Sequence, residues 1–182
     1  MNFSPVVSTE QRQVFELHWD DGELCVGRES IFQLIRNIKD PEHDYTLEQL
    51  NVVCLEDICI YSHVEDPSAS QAAGVSGLGG KQWAREHHQT EEEVKRAGQE
   101  VPVFVEIKVV PTIPHCSMVG LIGLSILYKV TKIISSRYVV RVIVKKGTHT
   151  LDEEMTKQLE DIERTSSAFI NPAIVATITE LI

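Results

Sequence analysis

Val101, Val103, Val105, Ile107 and Val109 alternate with Glu106 and Lys108 along the segment 101–110. Side chains of a strand point to opposite faces in turn, so a period of two commits this segment to a strand with one apolar face. The strand runs into Pro111-Thr112-Ile113-Pro114-His115-Cys116-Ser117-Met118. There the period changes. Met118, Leu121, Ile122, Ser125 and Ile126 have helical spacing, and the pattern predicts a helix to about Thr131, with Gly120 and Gly123 allowing close packing. A Val/Ile-rich strand over 138–145 follows, closed by Gly147.

The strand-to-helix junction holds one cysteine, Cys116, with His115 beside it. The first turn of a helix has unpaired N–H groups and the positive end of the dipole, which favours a thiolate. Cys116 is therefore expected to be an accessible, functional thiol; the ordinary alternative is a small buried apolar residue. Adjacent residues on a helix diverge by about 100°, which argues against a direct Cys116–His115 pair. His149, after Gly147, is expected to cap a helix or meet a partner.

The remaining chain supplies helices and one more strand. Residues 1–28 lack clean periodicity and read as a tail, with Asp20-Asp21-Gly22 as a break. Ile31, Leu34, Ile35 and Ile38 predict a helix from Ser30, as N-cap, to Lys39, stopped by Asp40-Pro41. Thr46 and Gln49 have capping-box spacing for a short turn. A strand is expected near Val52–Ser62. The segment 64–100 reads as an insertion, disordered in its first half, with Trp83, His87 and His88 as its only candidate contact points. Thr150 and Glu153 predict the start of one helix from Leu151 to about Ser167, striped by Met155, Leu159 and Ile162. Asn171-Pro172 then opens a last helix over 173–182. The expected fold is α+β: a small mixed three-stranded sheet with helices packed mainly on one face, spanning 29–182.

Composition narrows the function classes. Among 182 residues, 17 basic against 27 acidic side chains give a net charge of −10, which argues against a general binder of nucleic acid or anionic membranes. No apolar run reaches the roughly 18 residues of a membrane span. Residues 1–10 lack the basic and apolar stretches of a secretory signal. A cytoplasmic chain with reduced cysteines is expected. Cys54 and Cys59, five apart on one expected strand, would face opposite ways and fail as a metal pair.

Several stretches together carry a resemblance. They are 31–43 (Ile31 to His43, with Asp40-Pro41-Glu42), 46–53 (Thr46 to Val53), 111–118 with Leu121 to Ile126, and Gly147-Thr148-His149. The chain resembles the galla (Cia-two) family of cytosolic iron–sulfur protein assembly, which shares a domain with bacterial SufT- and PaaD-type proteins. The resemblance covers most of 29–170; the long insertion at 64–100 departs from the family's shorter pattern. It implies a non-catalytic adaptor, cytoplasmic and also nuclear, joining a WD-repeat β-propeller and, in one branch, a HEAT-repeat scaffold. That assembly promotes [4Fe–4S] insertion into apo-proteins. It implies that Cys116 is the family's reactive cysteine and that Asp40 and Glu42 belong to its acidic motif. Asp40, Glu42, Thr112 and His115 are thus candidate neighbours of Cys116, against the plainer alternative that Asp40-Pro41-Glu42 is a helix stop and a solvated turn. Acidic neighbours oppose the helix dipole, and the sequence leaves that balance open. A [4Fe–4S] cluster takes four thiolates, so this single thiol is expected to ligate one only transiently, with no stably bound cofactor. Two other readings stay open: an enzyme with Cys116 as nucleophile, and a homodimeric scaffold whose strands and terminal helices exchange between subunits.

Overall fold

The computed structural model describes residues 5–8, 13–62 and 102–182. The insertion at 64–100, with Trp83, His87 and His88, lies outside the described residues, as does His63.

The stretch read as a tail contains a small hairpin. Strand β1 (Trp19–Asp20) pairs antiparallel with β2 (Glu23–Leu24). Asp21 and Gly22 turn it with φ of 46° and 82°. Left-handed backbone at both central residues is the geometry that Asp-Gly supplies. Leu24 is buried, and Phe15 meets Phe32 edge to face at 6.2 Å between ring centres.

Helix α1 (Arg28–Ile35) begins and ends earlier than its apolar spacing suggests. Gly27 precedes its first residue. Ser30 sits one turn in, where its hydroxyl accepts from the Gly27 N–H at 2.8 Å. The helix stops well before Pro41 because the chain has already paired elsewhere. The Ile38 carbonyl accepts from Leu47 N–H at 2.8 Å, and Lys39 forms a bridge with Thr46. Thr46 and Gln49 make the expected reciprocal bonds, at 2.9 and 3.3 Å, around a turn rather than a helix. Buried Arg36 grips Glu48 with Nε at 3.0 Å and Nη2 at 2.5 Å, which fastens this loop to the end of α1.

Strands β3 (Ile58–Ser62), β4 (Val103–Val109) and β5 (Tyr138–Val144) form a mixed sheet in that order. β3 is antiparallel to β4, with Ile58 opposite Ile107; β4 is parallel to β5, with Val109 opposite Val144. The expected strand from Val52 is shorter, since Leu55–Asp57 forms a 3-10 turn. Cys54 therefore lies off the strand, and the opposite-faces reasoning does not apply to it. Val105, Ile107 and Val109 are fully buried, and share one core with Ile31 and Ile35 of α1 and with Ile122 and Ile126 of α2 (Val119–Thr131).

The predicted helix over 151–167 is two helices, α3 (Asp152–Glu160) and α4 (Ile162–Ile170). Asp161 breaks it: its carboxylate accepts from Arg164 N–H at 3.1 Å and caps α4 instead of continuing α3. Ile162, expected in the core stripe, is 79% exposed. Along the outer edge of β5, Thr156 Oγ1 of α3 accepts the Val144 N–H at 3.0 Å and so pairs the last donor of that edge. Leu159 packs onto Gly123, where a Cβ would stand 2.5 Å from a Leu159 methyl carbon; at Gly120 nothing lies within 4 Å of one. Asn171 caps α5 (Pro172–Leu181), accepting from Ala173 N–H at 3.0 Å with proline in the first turn, as the sequence predicts. No helix among the described residues is long and apolar enough to cross a membrane.

Candidate functional site

β4 ends at Val109, and the chain from Pro111 to Met118 turns through bends before α2 begins. Cys116 lies in this turn, two residues before the N-cap Met118, and not within the helix. Its N–H donates to the Ile113 carbonyl at 3.2 Å. Cys116 is 4% exposed, so the accessible thiol expected from sequence is covered here.

Polar groups surround it nevertheless. Burial pushes the Cys116 thiol above its ordinary value. The N–H groups of Met118 and Val119 pull the other way, as the helix start should. The carboxylates of Glu42 and Asp40 push the thiol up again, and the upward causes prevail. The structure therefore brings Asp40 and Glu42 into the electrostatic surroundings of Cys116 although more than seventy residues separate them in sequence.

The Asp40-Pro41-Glu42 segment is not a solvated helix stop. It is a loop closed by the Lys39–Thr46 bridge and by Asp40 N–H donating to the Tyr45 carbonyl at 2.9 Å. Asp40 is 6% exposed. Its Oδ1 accepts from the N–H of Glu42 and of His43 and from His43 Nδ1, each at 2.9 Å. An aspartate bonding backbone two and three residues on is what makes a tight loop of this kind rigid. Thr112 lies half-buried in the bend after β4. His115 is exposed, and its Nδ1 lies 3.3 Å from Thr150 Oγ1; because the two residues sit in a turn, the helical divergence expected between His115 and Cys116 does not apply.

His149 and Thr150 join this site. His149 is buried, with Nε2 3.1 Å from the Cys116 carbonyl and Nδ1 accepting the Leu151 N–H at 3.1 Å. Those partners fix the tautomer: Nδ1 accepts, so Nε2 carries the proton and donates. The Thr150 N–H donates to the Pro114 carbonyl at 2.9 Å, and its hydroxyl reaches the same oxygen at 3.1 Å. Thr150 thus fastens the cysteine turn and does not cap α3 with Glu153. The residue before α3 is Leu151, and no side chain caps the helix; Asp152, its first residue, accepts from Gly147 N–H at 2.6 Å and Glu153 N–H at 2.7 Å, and the Gly147 bond holds its carboxyl below the usual range.

Other features stand apart. Cys54 is half-buried beside Asp57 and Glu56, Cys59 faces Glu106 on β4, and Cys25 is exposed. Among the described residues no three His, Cys, Asp or Glu side chains are grouped to hold a metal ion. An apolar cavity of about 350 Å³ lies among α2, α3, α4 and α5, lined by Gly120, Leu124, Met155, Leu159, Ala168 and Ile174; it includes none of the candidate site residues.

No protein-family model matches the chain. Individual relatives do. A MIP18 family protein of Caenorhabditis elegans is 33% identical over 176 residues, covering 97% of this chain and 83% of the relative. The MIP18 family protein galla-2 of Drosophila melanogaster is 35% identical over 155 residues, 85% of this chain and 75% of the relative. Cytosolic iron-sulfur assembly component 2B of Mus musculus is 33% identical over 155 residues, 85% and 72% respectively. Identity at this level across most of both chains places the chain in the MIP18 family, to which the galla proteins belong.

Proposed function

We propose that this chain is a non-catalytic adaptor in cytosolic iron–sulfur protein assembly, acting in the cytoplasm and nucleus to promote [4Fe–4S] insertion into apo-proteins. The observation that carries the proposal is the likeness to assembly components: the mouse relative and one from Dictyostelium discoideum, 34% identical over 150 residues, both bear the name cytosolic iron-sulfur assembly component 2B. The partners that fit are a WD-repeat β-propeller, a HEAT-repeat scaffold and the apo-protein clients.

The site chemistry suits a cargo held briefly. A [4Fe–4S] cluster takes four thiolates, and the chain contributes one through Cys116, so the other ligands come from a partner or client. In the resting site burial and the carboxylates of Glu42 and Asp40 keep the sulfur protonated. On coordinating iron the Cys116 thiol would give up its proton to solvent. Burial and the same carboxylates oppose the negative charge that then resides on the sulfur, so the site suits brief ligation rather than storage.

The nucleophilic-enzyme reading finds less support. An activated thiol needs a base in hydrogen-bond reach and a lowered pKa. Here the thiol is pushed up, His115 turns to Thr150, and both nitrogens of His149 are engaged with backbone.

Depleting the chain from cells tests the proposal. Radioactive iron incorporation into a cytosolic [4Fe–4S] enzyme should fall several-fold while a mitochondrial [4Fe–4S] enzyme keeps its cluster. Unchanged incorporation in both would refute the assembly role. Affinity capture of the tagged chain should recover a propeller protein; its absence from the capture would remove that partner.

A further inference from the structure

We infer that His149 is a positioning residue for Cys116, acting through the cysteine's own carbonyl to keep the thiol seated and covered. The inference rests on the reading of Cys116 as the working thiol and adds how that thiol is held.

The geometry is specific. Cys116 is fixed at its N–H by the Ile113 carbonyl and at its C=O by His149 Nε2, at 3.2 and 3.1 Å. The direction of a residue's carbonyl sets the direction of the chain that follows it. Fixing the Cys116 carbonyl therefore aims the N–H groups of Met118 and Val119 at the Cys116 sulfur, where they act on its ionisation. The imidazole is buried, and its other nitrogen is occupied by Leu151 N–H at 3.1 Å. It cannot turn away without breaking both bonds at once. Thr150 adds two bonds to Pro114 from the same short segment. The segment 147–151, at the start of α3, is thus a clasp on the turn that carries the thiol. A covered sulfur meets no client until such a clasp yields, so His149 sets how often Cys116 becomes reachable.

Two substitutions separate this role from a plain helix cap. His149→Asn keeps an acceptor for Leu151 N–H but is too short to reach the Cys116 carbonyl. His149→Gln keeps an N–H donor at that reach and gives up the ring nitrogen facing Leu151. The measurement is the rate of iodoacetamide labelling at each cysteine of the full chain, at one pH, resolved by peptide mass spectrometry. His149→Asn should raise labelling at Cys116 about fivefold, the change in open population that accompanies loss of one hydrogen bond. His149→Gln should stay within about twofold of the parent. Labelling at Cys54, which has no bond to this clasp, should not change in either variant. A helix-cap role alone predicts the reverse order of the two variants. That order, equal rates in both, an unchanged rate in His149→Asn, or a parallel rise at Cys54 overturns the inference. No client enters the assay, so its failure is distinct from failure of the assembly role, which is read in cells.

Discussion

Glu42 and Asp40 place carboxylates beside a covered sulfur, while Met118 and Val119 turn backbone N–H groups toward it. The outcome is a thiol pushed above its ordinary value, and it has a measurable consequence. The pH profile for alkylation of Cys116 should have its midpoint above the usual thiol value of about 8.5. The neutral thiol is favoured by burial and by negative neighbours, so removing a negative neighbour moves the midpoint down. Glu42→Gln should therefore shift the profile to lower pH, with little change in melting temperature because Glu42 bonds the loop through its backbone N–H. A profile that does not move, or moves up, would mean that Glu42 does not face the sulfur. Sequence alone supplied both opposing influences, the helix start and the acidic motif. It could not weigh them, because the decisive cause, burial, comes from packing between segments distant in the chain. His149 was missed as a neighbour of Cys116 for the same reason: 33 residues separate them, and only the Gly147-Thr148-His149 motif hinted at a role.

At the level of elements, α2 meets α3 through Gly123. A Cβ there would come within 2.5 and 2.7 Å of the two Leu159 methyl carbons, whereas Gly120 faces open space. Gly123→Ala should destabilise the domain by about 1 kcal/mol, an overpacking cost of about 1–3 kcal/mol less the gain in helix propensity. Gly120→Ala should stabilise by about 0.5–1 kcal/mol, since only propensity changes. Urea unfolding of the two variants checks the pair; equal effects would contradict the α2–α3 packing. The sequence named both glycines as packing positions, and only one packs. Apolar period made the strands and α2 legible because it is a local signal. The break at Asp161 was hidden because the apolar spacing of Met155, Leu159 and Ile162 runs straight across it, while the decision there belongs to a capping carboxylate. The hairpin at 19–24 escaped for a different reason: strands of two residues have no period to read, and only Asp-Gly marks the turn.

For the whole molecule, the order of strands and the meeting of two distant loops matter together. β4 and α2 carry the cysteine turn, α1 leads into the acidic loop, and β5 leads into the clasp at 147–151. The sheet brings the ends of these elements to one place, where Asp40, Glu42 and His149 all act on Cys116. The net charge of −10 suits contact with basic protein surfaces rather than nucleic acid. Replacing the thiol by a hydroxyl removes a metal ligand and buries a more polar group beside the Met118 and Val119 N–H groups, so Cys116→Ser should lose about 1–3 kcal/mol of stability and stay folded.

The most direct test is therefore made in cells whose own copy of the chain is removed and replaced by either the parent sequence or Cys116→Ser at equal abundance. Activity and cluster content of a cytosolic [4Fe–4S] enzyme are then measured. The parent should restore both, and Cys116→Ser should leave them reduced several-fold with its fold intact. Full restoration by Cys116→Ser would contradict the role assigned to this sulfur.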